Sequence, residues 1–178
     1  MATAKRLFFT VVTIAAMACN FFGVLSNAWV TDWSGSIGLF PLWVVTIGWY
    51  VAASLVMEVS LFCTVLVLIQ LIVTSNNIRR NGYSPTQRGK FISIAVLSLF
   101  ITILTVVGVT LIGVNLPHMN RKYNDNATLG YSAWISVAGA VFYLVVAGLS
   151  NSYARVECGS SKLHDNKHCH RTTMEYLF

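Results

Sequence analysis

Charge is what this sequence lacks. Only 10% of its 178 residues are Asp, Glu, Lys or Arg, against roughly 25% in an ordinary soluble domain. The deficit falls in blocks. Leu7 to Val30, Phe91 to Leu116 and Leu129 to Ala154 hold no charged residue, and Val51 to Ile78 holds one, Glu58. A soluble helical bundle breaks such runs with polar residues on one face at every turn, so that class is excluded. An apolar helix of about 20 residues matches the hydrocarbon thickness of a bilayer, and in lipid the backbone must satisfy its own hydrogen bonds within each segment. The pattern predicts an all-α membrane protein, a four-transmembrane-helix bundle with helices near 7–30, 51–76, 91–116 and 130–153. Residues 1–154 then form the transmembrane domain and 155–178 a flexible polar tail.

Other absences narrow the function. There is no Ser-His-Asp set, no Gly-rich phosphate loop and no helix-borne pair of acids, so the sequence does not read as an enzyme and calls for no cofactor. The four cysteines offer no disulfide pair. Cys19 and Cys63 lie in apolar runs, where a thiol packs as a small apolar group, and Cys158 and Cys169 lie in the tail. Cys158 follows the last helix closely and is a candidate for S-palmitoylation. The tail also holds His164, His168 and His170, but the spacing does not make a closed zinc motif, so no metal is assigned.

The charges that are present are ordered. Of the twelve Lys and Arg, only Arg121 and Lys122 lie in the connection between helices three and four. Lys5 and Arg6 precede the first helix; Arg79, Arg80, Arg88 and Lys90 connect helices two and three; Arg155, Lys162, Lys167 and Arg171 follow helix four. The positive-inside rule places both termini and the middle loop in the cytoplasm, as for a multi-pass plasma-membrane protein. The net charge of +6 reads as topology and attraction to anionic lipid, with no nucleic-acid partner. Asn126-Ala127-Thr128 is an N-glycosylation sequon, usable only on the outer side, and Asn126 is the candidate acceptor. The first run has a basic start and the small-residue stretch Ser26-Asn27-Ala28, as a secretory signal does. At more than twenty apolar residues it exceeds the usual 7–15 of a signal and is read as a retained helix.

Between helices one and two the chain reads "AWVTDWSGSIGLFPLW", Ala28 to Trp43. Trp29, Trp33, Trp43 and Trp49 suit a belt of indoles at the headgroup level. The glycines permit tight turns, and "LWVVTIGWYV" is rich in β-branched and aromatic residues, so a short extracellular strand leading into helix two is expected. Four helices, a tryptophan just after the first, and the "GLF-P-LW" element resemble the claudin superfamily. That group comprises claudins, myelin-type membrane proteins and calcium-channel gamma-type subunits. Its mark is a tryptophan, then Gly-Leu-Trp, then two cysteines in the first outer loop. Trp29 or Trp33 matches the first tryptophan, and Gly38-Leu39-Phe40 matches Gly-Leu-Trp with Phe in the last place. "LGYSAW", Leu129 to Trp134, is similar to the same region of nematode claudin-like proteins. The chain departs from the pattern in having no cysteine from Trp29 to Tyr50, so the family's loop disulfide cannot form, and in a loop about half the expected length. The resemblance implies a divergent relative with a reduced outer domain, holding at most a small β element.

Glu58 is the one acid in the apolar runs. Two placements are open: on the order of 10 Å into helix two, or in the headgroup layer if that helix starts near Val56. A deep acid marks an ion path, a proton site or a buried partner. No other run holds a base, so the expected partner is Asn20 or Asn27, or the carboxyl is protonated. Ala15, Cys19 and Gly23, and again Ser132, Ser136 and Ala140, make rows of small residues that allow close helix packing in lipid. The C-terminal "TTMEYLF" offers Tyr176 and Phe178 as a ligand for a cytoplasmic PDZ scaffold, an ending the resemblance makes relevant.

The expected protein is non-enzymatic and acts in cell–cell contact or membrane organisation, including at cell junctions, through lateral and trans contacts with copies of itself or other membrane proteins. Two alternatives stand beside this: an accessory, gamma-type subunit of an ion channel or receptor, and a small proton-coupled transporter using Glu58.

Overall fold

A computed structural model describes residues 2–32, 35–39, 48–81, 85–123 and 126–175. The order of elements is α1 (Ala2–Leu25), β1 (Val30–Asp32), β2 (Gly35–Ile37), α2 (Gly48–Asn81), α3 (Pro85–Tyr123), β3 (Thr128–Leu129) and α4 (Tyr131–Glu175). All four helices are long and apolar enough to cross a membrane, over Leu7–Leu25, Gly48–Arg80, Gln87–His118 and Tyr131–Arg155. The bundle is assembled mainly through α1 on α4, α4 on α3 and α3 on α2, with α2 closing more lightly against α1. Leucine, isoleucine, valine and phenylalanine stay exposed along the helices, among them Phe8, Ile14, Phe62, Ile103 and Leu144. In water such a surface would collapse; facing lipid tails it is the expected exterior.

The interior has two apolar clusters. One, at the basic end, includes Phe9, Phe91 and Tyr153, whose rings pack with centroids 5.5 to 6.1 Å apart. The other, at the opposite end, includes Val24, Trp29, Leu39, Met57 and Ile112. A polar layer separates them. Asn20 Nδ2 donates to Ser60 Oγ at 3.2 Å and to Thr64 Oγ1 at 2.7 Å, and Tyr143 donates its hydroxyl to Thr64 Oγ1 at 3.0 Å. Thr64 in turn donates to the carbonyl of Ser60 at 3.0 Å. Its hydroxyl thus uses its one donor and both acceptor positions, joining α1, α2 and α4 at a single atom. The small-residue rows meet between α1 and α4, where a side chain at Gly23 would run into Ser136, and one at Gly139 would press on Cys19.

A three-stranded antiparallel sheet of order β2-β1-β3 caps the end away from the basic residues. Val30 pairs with both Ile37 and Leu129, and Thr31 with both Ser36 and Thr128. The last strand comes from the connection between α3 and α4, so the two connections at this end make one sheet.

The helix limits differ from the sequence reading: α1 starts at Ala2, α2 ends at Asn81 and α3 starts at Pro85, each beyond the expected run, and four further differences bear on the connections. α1 stops at Leu25 rather than near residue 30, because the chain turns there into β1. α2 begins at Gly48, so the part of "LWVVTIGWYV" from Gly48 onward is helical instead of extended; residues 40–47 lie outside the described set. α3 continues through Pro117 to Tyr123, where an outer loop was expected to start. Proline there removes the amide that would bond the carbonyl of Gly113 and sets its ring against that same carbonyl, a cost of about 3 kcal/mol that the helix bears near its end. α4 runs to Glu175, where the pattern suggests a flexible tail from residue 155. No proline falls in that stretch, and Gly159 costs a helix only about 1 kcal/mol.

Gly130 joins β3 to α4, and a Cβ there would meet the carbonyl of Ala28. Gly130→Ala is expected to lower stability by about 1–3 kcal/mol, the usual cost of overpacking. Gly148, with open space around it, should accept alanine with no loss. Thermal melts of the detergent-purified variants compare the two.

Candidate functional site

The residues that carry the family resemblance converge at the sheet end. Trp29 is 0% exposed. Its indole Nε1–H donates to the carbonyl of Gly23 at 2.6 Å, one of the carbonyls left without an amide where α1 ends. The tryptophan therefore caps the helix and plugs the apolar cluster at the same time. This corrects the belt reading for Trp29: its ring is core. Leu39 is packed in the same cluster, and the Tyr50 hydroxyl donates to the carbonyl of Gly38 at 2.8 Å. The segment after β2 is thus bound to the first turn of α2. Trp33 and Phe40 lie outside the described residues, as does Trp43. Trp49 is half-buried and meets Tyr50 edge-on with ring centroids 5.6 Å apart. Among the described residues the exposed aromatics at this level include Tyr131 (60%) and Trp134 (63%), one turn apart on α4 and placed as a headgroup belt requires.

"LGYSAW" forms the second half of the site. The amide of Ser132 donates to the carbonyl of Ala28 at 3.1 Å, while Ser132 Oγ accepts from the amide of Ala28 at 3.2 Å and from Ser26 Oγ at 2.6 Å. The amide of Gly130 donates to the carbonyl of Trp29 at 2.9 Å. These bonds clamp the end of α1 to the start of α4. Asn120, which no motif singles out, holds the other connection: its Nδ2 donates to the carbonyl of Ala127 at 2.9 Å and its Oδ1 accepts from the amide of Ala127 at 3.0 Å. Asn126, the sequon asparagine, is exposed beside this pair, and Thr128 sits in β3 with its hydroxyl 3.3 Å from that of Thr31.

Glu58 is not part of this cluster. It is half-buried on α2, and its Oε1 is buried with no hydrogen-bond partner. Ser60 bonds Asn20 across the bundle, which places Glu58 level with a point about 5 Å inside the end of α1 at a 1.5 Å rise per residue. The alternative start near Val56 is not seen: α2 begins at Gly48, which puts Glu58 ten residues, about 15 Å, along that helix. The expected asparagine partners are not used: Asn20 gives its amide to Ser60 and Thr64, and Asn27 is exposed. Cys158 falls within α4, and Tyr176 and Phe178 lie outside the described residues. Among the described residues no group of three or more His, Cys, Asp or Glu comes together.

A family model described as "Tight junction protein, Claudin-like" matches residues 1–169. The chain belongs to this claudin-like family and is a multi-pass membrane protein. No curated protein matches it.

Trp29→Phe keeps an aromatic plug but removes the indole donor. With the Gly23 carbonyl left to the long contact from Ser26 Oγ at 3.4 Å, unfolding in mixed micelles on titration with a denaturing detergent should show a loss of about 1 kcal/mol. An unchanged midpoint would show that the cap contributes nothing.

Proposed function

We propose that this protein is non-enzymatic and organises contacts at the plasma membrane, its sheet end facing the exterior and meeting other proteins both within the membrane and across the intercellular gap. The observation that carries the reading is the joining of both connections at one end of the bundle into a single sheet, clamped to α1 and α4 and seated on a buried tryptophan. Such a platform presents a surface of fixed shape, as recognition without a large conformational change requires. Membership of the claudin-like family supports it. The orientation is supported by charge: Arg79, Arg80, Arg88, Lys90 and Arg155 gather at the opposite end, which the positive-inside rule assigns to the cytoplasm. Asn126 then faces the lumen during synthesis and is glycosylated there.

A second reading is favoured by Glu58. A half-buried carboxyl with an unpaired oxygen on a lipid-facing helix suits a lateral protein partner, as an accessory subunit of a channel or receptor would have.

Expression of the tagged chain in non-adherent cells tests the first reading. Concentration at contacts between two expressing cells is the expected outcome, and an even distribution over the surface contradicts it. In the same cells, glycosidase treatment should increase gel mobility for the natural chain and leave Asn126→Gln unchanged.

A further inference from the structure

Where α2 and α3 approach their connection, a groove of about 320 Å³ opens between them. Ile69, Gln70 and Val73 line it from α2, and Gly89, Lys90 and Ser93 from α3. This is the size of a small-ligand pocket, and it lies at the edge of two membrane spans. Its walls differ in chemistry. Ile69 and Val73 are exposed apolar side chains. Gly89 has open space where a side chain would stand, which leaves that side of the groove free. Lys90 supplies a cation. Across the floor, Gln70 Nε2 donates to Ser93 Oγ at 3.0 Å, while Gln70 Oε1 is buried and has no hydrogen-bond partner. No acid occurs from Val59 to Asn124, so neither α3 nor the rest of α2 repels an anion here.

The geometry points to a binding site for one anionic glycerophospholipid of the leaflet at the basic end. Its phosphate sits by Lys90, the upper part of an acyl chain lies along Ile69 and Val73, and a hydroxyl or ammonium of its headgroup donates to Gln70 Oε1 once that side chain, closed off in this structure, turns toward it. A buried acceptor without a donor is costly, and such a headgroup supplies the donor that the chain does not. A free phosphate would leave both the apolar wall and the glutamine oxygen unused. The inference rests on the membrane reading alone and holds whichever side the sheet faces.

Native mass spectrometry of the full chain in mild detergent provides the test, with dioleoylphosphatidylserine and dioleoylphosphatidylcholine titrated separately. One phosphatidylserine is expected to bind in preference to phosphatidylcholine. Lys90→Gln should weaken it about tenfold, the order expected for losing a charge-assisted contact. Gly89→Leu, which fills the groove and keeps every charge, should weaken it similarly. Arg155→Gln, a basic residue elsewhere at the same end, should bind as the natural chain does. Three results overturn the site: Lys90→Gln binding at full affinity, Arg155→Gln losing as much as Lys90→Gln, or soluble phosphoserine displacing the lipid at equal concentration. If Gly89→Leu fails to fold, the contrast between Lys90→Gln and Arg155→Gln decides the matter.

Discussion

The constraint on which the structure depends is the absence of water around the helices. A backbone in hydrocarbon has no solvent to bond, so each run closes its own ladder and becomes a helix. The same medium removes the drive that buries leucine in soluble proteins, because lipid tails receive apolar side chains as readily as a core does. The result is a bundle with phenylalanine, isoleucine and valine outside and a layer of Asn20, Ser60, Thr64 and Tyr143 within. In lipid those polar groups find partners only on neighbouring helices. The close packing of Gly23 on Ser136 and of Cys19 on Gly139 then brings α1 and α4 near enough for dispersion to hold them.

Leaving the helical state is possible only where water or a strand partner can take the freed amides and carbonyls. The chain does so at the sheet end, where several of the described residues are covered in turn. Trp29 takes the Gly23 carbonyl, Ser132 and Ala28 serve one another, Asn120 serves Ala127 on both sides, and Val30 pairs with two strands. The connection between α1 and α2 has no cysteine pair of the kind the family resemblance implies. In its place the loop is held by the buried tryptophan, the hydroxyl of Tyr50 on Gly38 and the clamp between α1 and α4. Several directional bonds around one apolar plug do what a covalent bridge does for a longer loop: they fix the path of the chain. A short loop also has less conformational entropy to lose on closing.

The four spans were legible in the sequence because lipid imposes a one-dimensional signal, a run without charge. Helix ends were not, since they depend on tertiary partners. Nothing local to Leu25 announces that an indole four residues on will fold back as a cap, or that Pro117 will be tolerated inside α3. β3 escaped notice for a similar reason: Thr128 and Leu129 become a strand only because Thr31 and Val30 are there to pair with. A general preference of aromatics for interfaces suits Tyr131 and Trp134, while the position of Trp29 is set by packing that composition does not encode. Glycine and serine in "LGYSAW" carry a family resemblance in the sequence, and their physical reason, the close passage of the Ala28 carbonyl, lies in the fold. Gln70 and Ser93 are 23 residues apart in sequence and bond only because α2 and α3 run antiparallel.

The central claim is a chain that crosses the bilayer four times and holds its sheet on one side and its basic residues on the other. Single cysteines at two exposed positions test it most directly: Ser36→Cys on β2 and Arg79→Cys near the end of α2, both in a background where Cys158 and Cys169 are serine. With a membrane-impermeant maleimide, Ser36→Cys should label on intact cells and Arg79→Cys only after permeabilisation. Labelling of both on intact cells, or the reverse order, would contradict the account.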